Sequence, residues 1–330
     1  MHELRKNPLL GRWVAVSSDS KKPEEYHAQR PASTESTCIL CAGREAQTPV
    51  EIASIRSNGR WSARVIPNFK PVFQVEGDLG RRGVGMYDTM NSIGANELVI
   101  ESPEHNVRTE DLGFDHMLNI IRLYRDRLAD LERDARLRHM LIYKDSGTGA
   151  GAKFDHPYSE LVATPVIPKG IKEELDGAKQ YYDFKERCIF CDILRDEQRQ
   201  GDRVIYETSK FIALSLFAPK FPFEFWIMPK KHRCAFQDID AEEMEDLSMV
   251  LSIMIKKVRK ALNDPPYNYV IHTAPNRIPR SDHWHTLGED YHWHIEIMPR
   301  LIRTTGFEWG SGFYVLTTSP EDATKYLREA

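Results

Sequence analysis

Two short cysteine motifs, CILC at 38 and CIFC at 188, stand 150 residues apart, and behind each the same landmarks follow in the same order. The stretch KFDHPYSE at 153 to 160 finds its counterpart in YHWHIE at 291 to 296. This sets His156 on His292, Tyr158 on His294 and Glu160 on Glu296, each pair 136 residues apart. Side chains at every second residue of a strand share a face, so each triplet is expected to present its chemistry on one side of a sheet. Between cysteines and triplet lie a proline-aromatic stretch (64–73 and 211–225) and an apolar strand running into a proline and then His105 or His232. A long helix and a further strand come next. Six landmarks repeated in one order define a duplication, and a duplicated chain has to fold as two like units.

The helices are read from apolar spacing. Leu112, Met117, Ile120, Ile121, Tyr124, Leu128 and Leu131 predict a helix from Glu110 to about Arg138. Met244, Leu247, Val250, Leu251, Met254 and Val258 predict another from Ala241 to about Leu262, with Asp240 as its N-cap. The expected class is α+β: duplicated units of antiparallel sheet flanked by helices, divided at 1–170 and 171–330, with 165–187 as linker. From Cys41 to His105 is 64 residues and from Cys191 to His232 is 41, so the first unit carries about 23 extra, assigned to the loop GDLGRRGVGMYD. Residues 276–290 read as a polar loop that leaves His283 and His285 in solvent.

A net charge of -4 and the lack of any basic block exclude nucleic acid as the expected partner. The first residues lack the pattern of a signal peptide and no apolar run reaches 18 residues, so the expectation is a cytoplasmic protein with no membrane partner. In that compartment the paired cysteines favour metal or redox chemistry over disulfides, while Cys234, outside either pair, reads as a small apolar residue. Tetrahedral zinc needs two ligands beyond a CxxC pair. The repeat nominates them: Cys38, Cys41, His105 and His156 in one unit, Cys188, Cys191, His232 and His292 in the other, for two structural zinc ions. Redox-active pairs or free thiols are the competing reading. His272 and His294 are expected near the strand face, where they could join His292 and a carboxylate around a different ion. That set competes for His292.

The whole chain resembles the galactose-1-phosphate uridylyltransferases of the histidine-triad superfamily and their relatives acting on ADP-glucose. The resemblance runs from NPLLGRWVAV through CILC, RVIPN, ESPEH, YKDSGTGAGAKFDHPYSEL and CIFC to YHWHIEIMPRL and GFEWGSGFY. It implies a duplicated α+β fold, a homodimer whose partner loop completes each site, and transfer of a nucleotidyl group from a nucleotide sugar to a histidine and then to a phosphate-bearing acceptor. It also implies that Asn68 contacts the nucleoside, that Gly147, Gly149 and Gly151 offer backbone N–H groups to phosphate, and that Phe307 and Phe313 lie in the loop meeting the sugar phosphate.

The catalytic strand departs from the family pattern HPHxQ. Tyr158 stands at the nucleophile position, Glu160 at the glutamine, Lys153 at a serine and Asp145 at an asparagine, while two arginine positions hold Asp19 and Lys22. A phenol of pKa about 10 is ionised to roughly one part in a thousand at neutral pH, so the phenolate costs about 4 kcal/mol that an imidazole avoids. Tyr158 therefore either acts as nucleophile with help from Lys153 or a metal, or only lines the pocket. His294, at the matching position of the second unit, is the other candidate nucleophile. Three functions compete: a nucleotidyltransferase with Tyr158, Glu160, Lys153 and His294 as its catalytic set; a non-catalytic nucleotide-binding scaffold; and a metal-dependent hydrolase or lyase using Glu160, His272 and His294.

Overall fold

The computed structural model describes residues 3–17, 20–26, 38–280 and 284–330. Its centre is one antiparallel ten-stranded sheet. The first half contributes β3 (Ala53–Ser57), β4 (Arg60–Pro67), β7 (Ala95–Ile100), β8 (His139–Ser146) and β9 (Tyr158–Thr164). The second contributes β10 (Val204–Glu207), β11 (Phe211–Ser215), β12 (Phe225–Pro229), β13 (Tyr267–His272) and β14 (His294–Pro299). Spatial order is β3-β4-β7-β9-β8 in one half and β10-β11-β12-β14-β13 in the other, the same path taken twice, and the halves join where β8 pairs with β13. The two units thus share a single sheet.

Local chemistry explains the elements. The Asn58-Gly59 pair, both at positive φ, turns β3 into β4 as such dipeptides do in tight hairpins. Helix α1 (Phe114–Leu131) buries Met117, Ile120, Ile121, Tyr124, Leu128 and Leu131, the predicted stripe, but starts later than predicted because Gly113 at φ 91 interrupts the backbone ahead of it. It also stops short of Arg138, where a polar turn redirects the chain into β8. Helix α4 (Ala241–Ala261) starts as predicted at Asp240, whose side chain accepts from the Glu243 amide while the Glu243 side chain returns the bond.

Residues 165–187, read as a linker, contain helix α2 (Lys169–Lys185). Ile171, Leu175 and Ala178 form its buried stripe, and Lys–acid pairs four residues apart line its outer face. Gly177 lets it approach the N-terminal segment: a Cβ there would lie 2.0 Å from the Leu9 carbonyl oxygen. Helix α3 (Ile189–Gln200) follows directly. Two short helices, α5 (Leu287–Asp290) and α6 (Gly306–Ser311), precede the C-terminal α7 (Pro320–Glu329). Strands β1 (Glu3–Lys6), β2 (Trp13–Val16) and β15 (Tyr314–Leu316) form a small separate sheet. The insertion folds into an exposed hairpin of β5 (Arg82–Val84) and β6 (Tyr87–Thr89).

One face of the large sheet packs on α1, α4 and α7 in a continuous core. On the opposite face the halves differ. In the second, α2 and α3 lie over β11 and β12. In the first, among the described residues, the Cys38 loop with Phe69 and Phe154 covers β4, β7 and the start of β9.

Candidate nucleotide site and metal centres

Strand register places the two diverged triplets on the same face. Glu160 is opposite Tyr143, Tyr143 opposite Val270, and Val270 opposite Glu296, so the repeat-related glutamates share one row across the junction of the halves.

In the first half Tyr158 is 1% exposed, wedged among Leu40, Ile66, Leu98 and Ile100 and edge-on to Phe154 at 5.5 Å. Its phenol oxygen accepts the Lys153 backbone N–H at 2.9 Å. Burial pushes its pKa up to about 12, with Glu160 and Asp145 adding to the rise. The help expected from the Lys153 ammonium goes elsewhere: Lys153 Nζ pairs with Glu160 Oε1 at 3.1 Å. Asn68 Nδ2 donates to the other oxygen, Glu160 Oε2, at 3.3 Å. Asp145 accepts from Asn268 Nδ2 at 2.6 Å, and burial raises its pKa. Tyr143, between the two carboxylates, is likewise raised by burial and then by Glu160. Asn268 also holds the Ala150 carbonyl at 2.8 Å, so a second-half residue anchors the first-half glycine loop. Periodicity within YNYVIH put Asn268 on this face, but nothing in the sequence paired it with Asp145.

Gly147 and Gly151 both sit at positive φ around a 3-10 turn, Thr148–Ala150. The amides of Ala150, Gly151 and Ala152 donate within that turn. Those three, with the Lys153 amide, are therefore spent internally, and Gly151 is the one of the three expected cradle glycines among them. A cavity of about 330 Å³ opens beside Tyr158 and Gly147 and runs toward Arg108. Phe307 lies on α6 against β15, 55% exposed, with Trp309 80% exposed; they belong neither to the core nor to the Tyr158 surroundings of their own chain. Lys22 caps an exposed 3-10 turn at 23–25. Asp19 and His283 lie outside the described residues, and His285 is exposed.

The second half places His294 where the first has Tyr158. It is fully buried, its ring stacked on Trp226 at 3.9 Å on one side and His272 at 4.6 Å on the other. Burial holds it neutral, with a pKa pushed down to about 4. Its Nε2 is 3.2 Å from Glu174 Oε1 of α2. His272 bridges Glu174 at 3.1 Å and Glu296 at 3.2 Å; against burial, which would lower it, the two carboxylates raise its pKa to about 10. The candidate nucleophile His294 is thus enclosed by Trp226, His272 and Glu174. Glu174 went unnoticed because its segment was read as linker, although its place on the Ile171–Leu175–Ala178 side of a helical repeat was legible.

Both Cys2His2 sets assemble, and their ligand atoms lie within 4.8 Å of one another. Cys38 Sγ and Cys41 Sγ are 3.7 and 3.8 Å from His156 Nδ1, and Cys41 Sγ is 3.6 Å from His105 Nδ1. Cys191 Sγ is 3.3 Å from His232 Nδ1 and 3.5 Å from His292 Nδ1. A tetrahedron with metal–sulfur bonds of about 2.3 Å and metal–nitrogen bonds of about 2.0 Å has S···N edges of about 3.5 Å, so both sets fit one ion each. His156 Nε2 is spent on the Ser102 carbonyl at 2.7 Å and His232 Nε2 on Gly288 at 3.0 Å, an arrangement that leaves Nδ1 to ligate. His292 belongs to its cysteines, so the feared competition does not arise. The third group is Glu174, His272 and His294. Glu160 does not join it, being separated from β13 by β8, which removes the carboxylate assigned to the hydrolase reading.

Comparison with known proteins agrees with this geometry. Residues 1–190 match the family described as galactose-1-phosphate uridyl transferase, N-terminal domain, and residues 174–325 its C-terminal domain. An ADP-glucose phosphorylase of Arabidopsis thaliana is 34% identical across 99% of this chain and 92% of its own. A galactose-1-phosphate uridylyltransferase of Thermotoga maritima is 27% identical across 100% and 98%. The crystal structure of an Arabidopsis ADP-glucose phosphorylase with bound ADP-glucose superposes with a TM-score of 0.84 at 33% identity, over 100% of this chain and 99% of that one. The chain belongs to the galactose-1-phosphate uridyl transferase family, a family of nucleotidyltransferases.

Proposed function

We propose that the first-half face binds a nucleoside diphosphate sugar, nucleoside toward Asn68 and phosphates beside Lys153 and Tyr158, and passes the nucleotidyl group to a phosphate-bearing acceptor. The carrying observation is the contrast between halves: α2 and α3 lie over the second repeat of the sheet face, whereas the first has the Cys38 loop over it and keeps the Lys153 side chain 61% exposed beside the buried Glu160 and Tyr158. ADP-glucose bound to a 33% identical relative supports the ligand class. Residues 1–170 supply this site and 171–330 the scaffold that anchors its glycine loop through Asn268. Two zinc ions, held by Cys38, Cys41, His105 and His156 and by Cys188, Cys191, His232 and His292, staple the loops to the sheet and take no part in the reaction. The exposed Phe307 and Trp309 suit a dimer contact, and the protein works in the cytoplasm, in keeping with the absence of any membrane-crossing helix among the described residues.

The test is calorimetry with ADP-glucose and UDP-glucose, followed by product analysis with inorganic phosphate or a hexose 1-phosphate as acceptor. Saturable binding with release of sugar 1-phosphate supports the reading. Binding without turnover would leave a nucleotide-binding scaffold instead, and no binding to either nucleotide sugar would overturn both. Light scattering that finds a monomer would remove the dimer.

A further inference from the structure

We infer that Lys144 and Glu101, an ion pair buried on the helix-facing side of the sheet, are positioning residues for nucleotidyl transfer: they hold β9 parted from β8 at Tyr158, the shape in which residues 158 and 160 meet the substrate. The inference rests on the proposed nucleotide-sugar reading and adds what keeps that strand in place.

The two halves act as each other's control. In the second, β13 pairs with β14 from Tyr267–Pro299 through Val270–Glu296 to His272–His294. Counted from the repeat-related glutamates, the pair His272–His294 corresponds to Asp145–Tyr158. In the first half that pair is not made: β8 and β9 run together from His139–Thr164 only as far as Tyr143–Glu160. The ladder therefore opens two residues earlier than its counterpart, at Tyr158. A side chain meets the Tyr158 carbonyl instead, the Lys144 ammonium at 3.2 Å.

Lys144 does not act alone. Its ammonium also pairs with Glu101, fully buried just past β7, and reaches Thr109 Oγ1 at 3.3 Å. Glu101 accepts in turn from Thr109 and, at 2.9 Å, from the Tyr124 hydroxyl of α1. Tyr124 is bonded at 2.6 Å both to Ser159, the next residue of the strand, and to Tyr269 of β13. The strand is thus gripped from beneath at 158 and at 159.

Stability does not explain the arrangement. The places of Lys144 and Ser159 are taken in the second half by Ile271 and Ile295, both buried in the core. The same sheet therefore packs with aliphatic side chains at these points. A buried ion pair is often no more stabilising than apolar residues of like volume. What a fully satisfied polar network supplies is one rigid geometry, and this one lies under the repeat that carries Tyr158 and Glu160. Rigidity matters there because a misplacement of about 1 Å can cost on the order of a hundredfold in rate.

The experiment compares the wild type with the double variant Glu101→Met, Lys144→Met, which puts apolar chains of similar length in place of the pair. Both are assayed well below their Tm with ADP-glucose and phosphate. The variant's kcat should fall roughly tenfold or more while KM for ADP-glucose holds. A merely structural pair would lower Tm and leave the kcat of the folded protein where it was. That result, or a rise in KM at constant kcat, overturns the inference. Should the double variant not fold, Ser159→Ala takes one hydroxyl from the same network: kcat is expected to fall roughly threefold at unchanged KM, and an unaltered kcat overturns the inference. No transfer by the wild type from ADP-glucose or UDP-glucose would sink the proposed function and this inference together, whereas wild-type transfer that survives the substitutions would sink the inference alone.

Discussion

On the proposed nucleotide reading Glu160 puts a carboxylate beside the phosphates, and the Lys153 ammonium answers it at 3.1 Å. Unit charges about 4 Å apart interact by ~4 kcal/mol at an effective dielectric near 20, and solvent around the exposed Lys153 side chain screens much of that. Glu160→Gln removes the repulsion and frees Lys153, so ADP-glucose should bind roughly tenfold more tightly, about 1.4 kcal/mol by calorimetry. Unchanged or weaker binding would mean that the phosphates lie elsewhere. Tyr158→His should behave differently, since an imidazole is nucleophilic while neutral. Incubated with ADP-glucose and no acceptor, the variant is expected to accumulate an adduct on residue 158 that the wild type lacks, read by mass spectrometry. At this scale the sequence was informative about identity and silent about pairing. The period-2 spacing put Tyr158 and Glu160 on one face, and the two strands do present them there. That Glu160 is tied to Asn68, or Asp145 to Asn268, depends on strand order, which no local pattern encodes.

Helix α2 shows how an element can be legible and still be missed. Its apolar stripe and its three Lys–acid pairs are helical signals, but Pro165, Pro168, Gly170 and Gly177 punctuate the segment like a linker. Tertiary contact decides the matter, because Gly177 touches the Leu9 backbone and Glu174 closes an ion pair with His272. Gly177→Ala should force these backbones apart at a cost of about 1–3 kcal/mol, lowering Tm by several degrees. An unchanged Tm would show that α2 docks less tightly than drawn. The Glu174–His272–Glu296 bridge adds a pH dependence with a definite sign. His272 titrates near 10 when folded and near its ordinary value of about 6.5 when unfolded. Its contribution is therefore complete below about pH 6.5 and fades as pH rises toward 10. Denaturant midpoints measured from pH 6.5 to 10 should fall, and His272→Gln should be less stable at pH 6.5 with that part of the slope removed. A variant with the wild-type slope would assign the dependence to other groups.

At the scale of the molecule the repeat is nearly symmetric in backbone and asymmetric in cover, and the two metal sets follow that asymmetry. The first set ties the Cys38 loop over β4, β7 and the start of β9, the thin layer that holds Tyr158 in place. The second fixes Cys188, the N-cap of α3, to His292 at the entry of β14, and with it the whole α2–α3 layer. Metal-binding free energy is folding free energy wherever the ligands are scattered in the unfolded chain. Both sets draw ligands from segments more than 60 residues apart, so both ions should stabilise, but unequally. Elemental analysis should find two zinc ions per chain, and one after either Cys38→Ser or Cys188→Ser. Loss of the second site uncovers the larger apolar layer, so Cys188→Ser should cost several kcal/mol and lower Tm by about 10 °C. Cys38→Ser should lower Tm less yet abolish ADP-glucose binding, because the loop that packs on Tyr158 and Ile100 is released. The reverse order, with Cys38→Ser the more damaging to Tm and harmless to binding, would show that the open half, and not the sealed one, is the structural anchor of the fold.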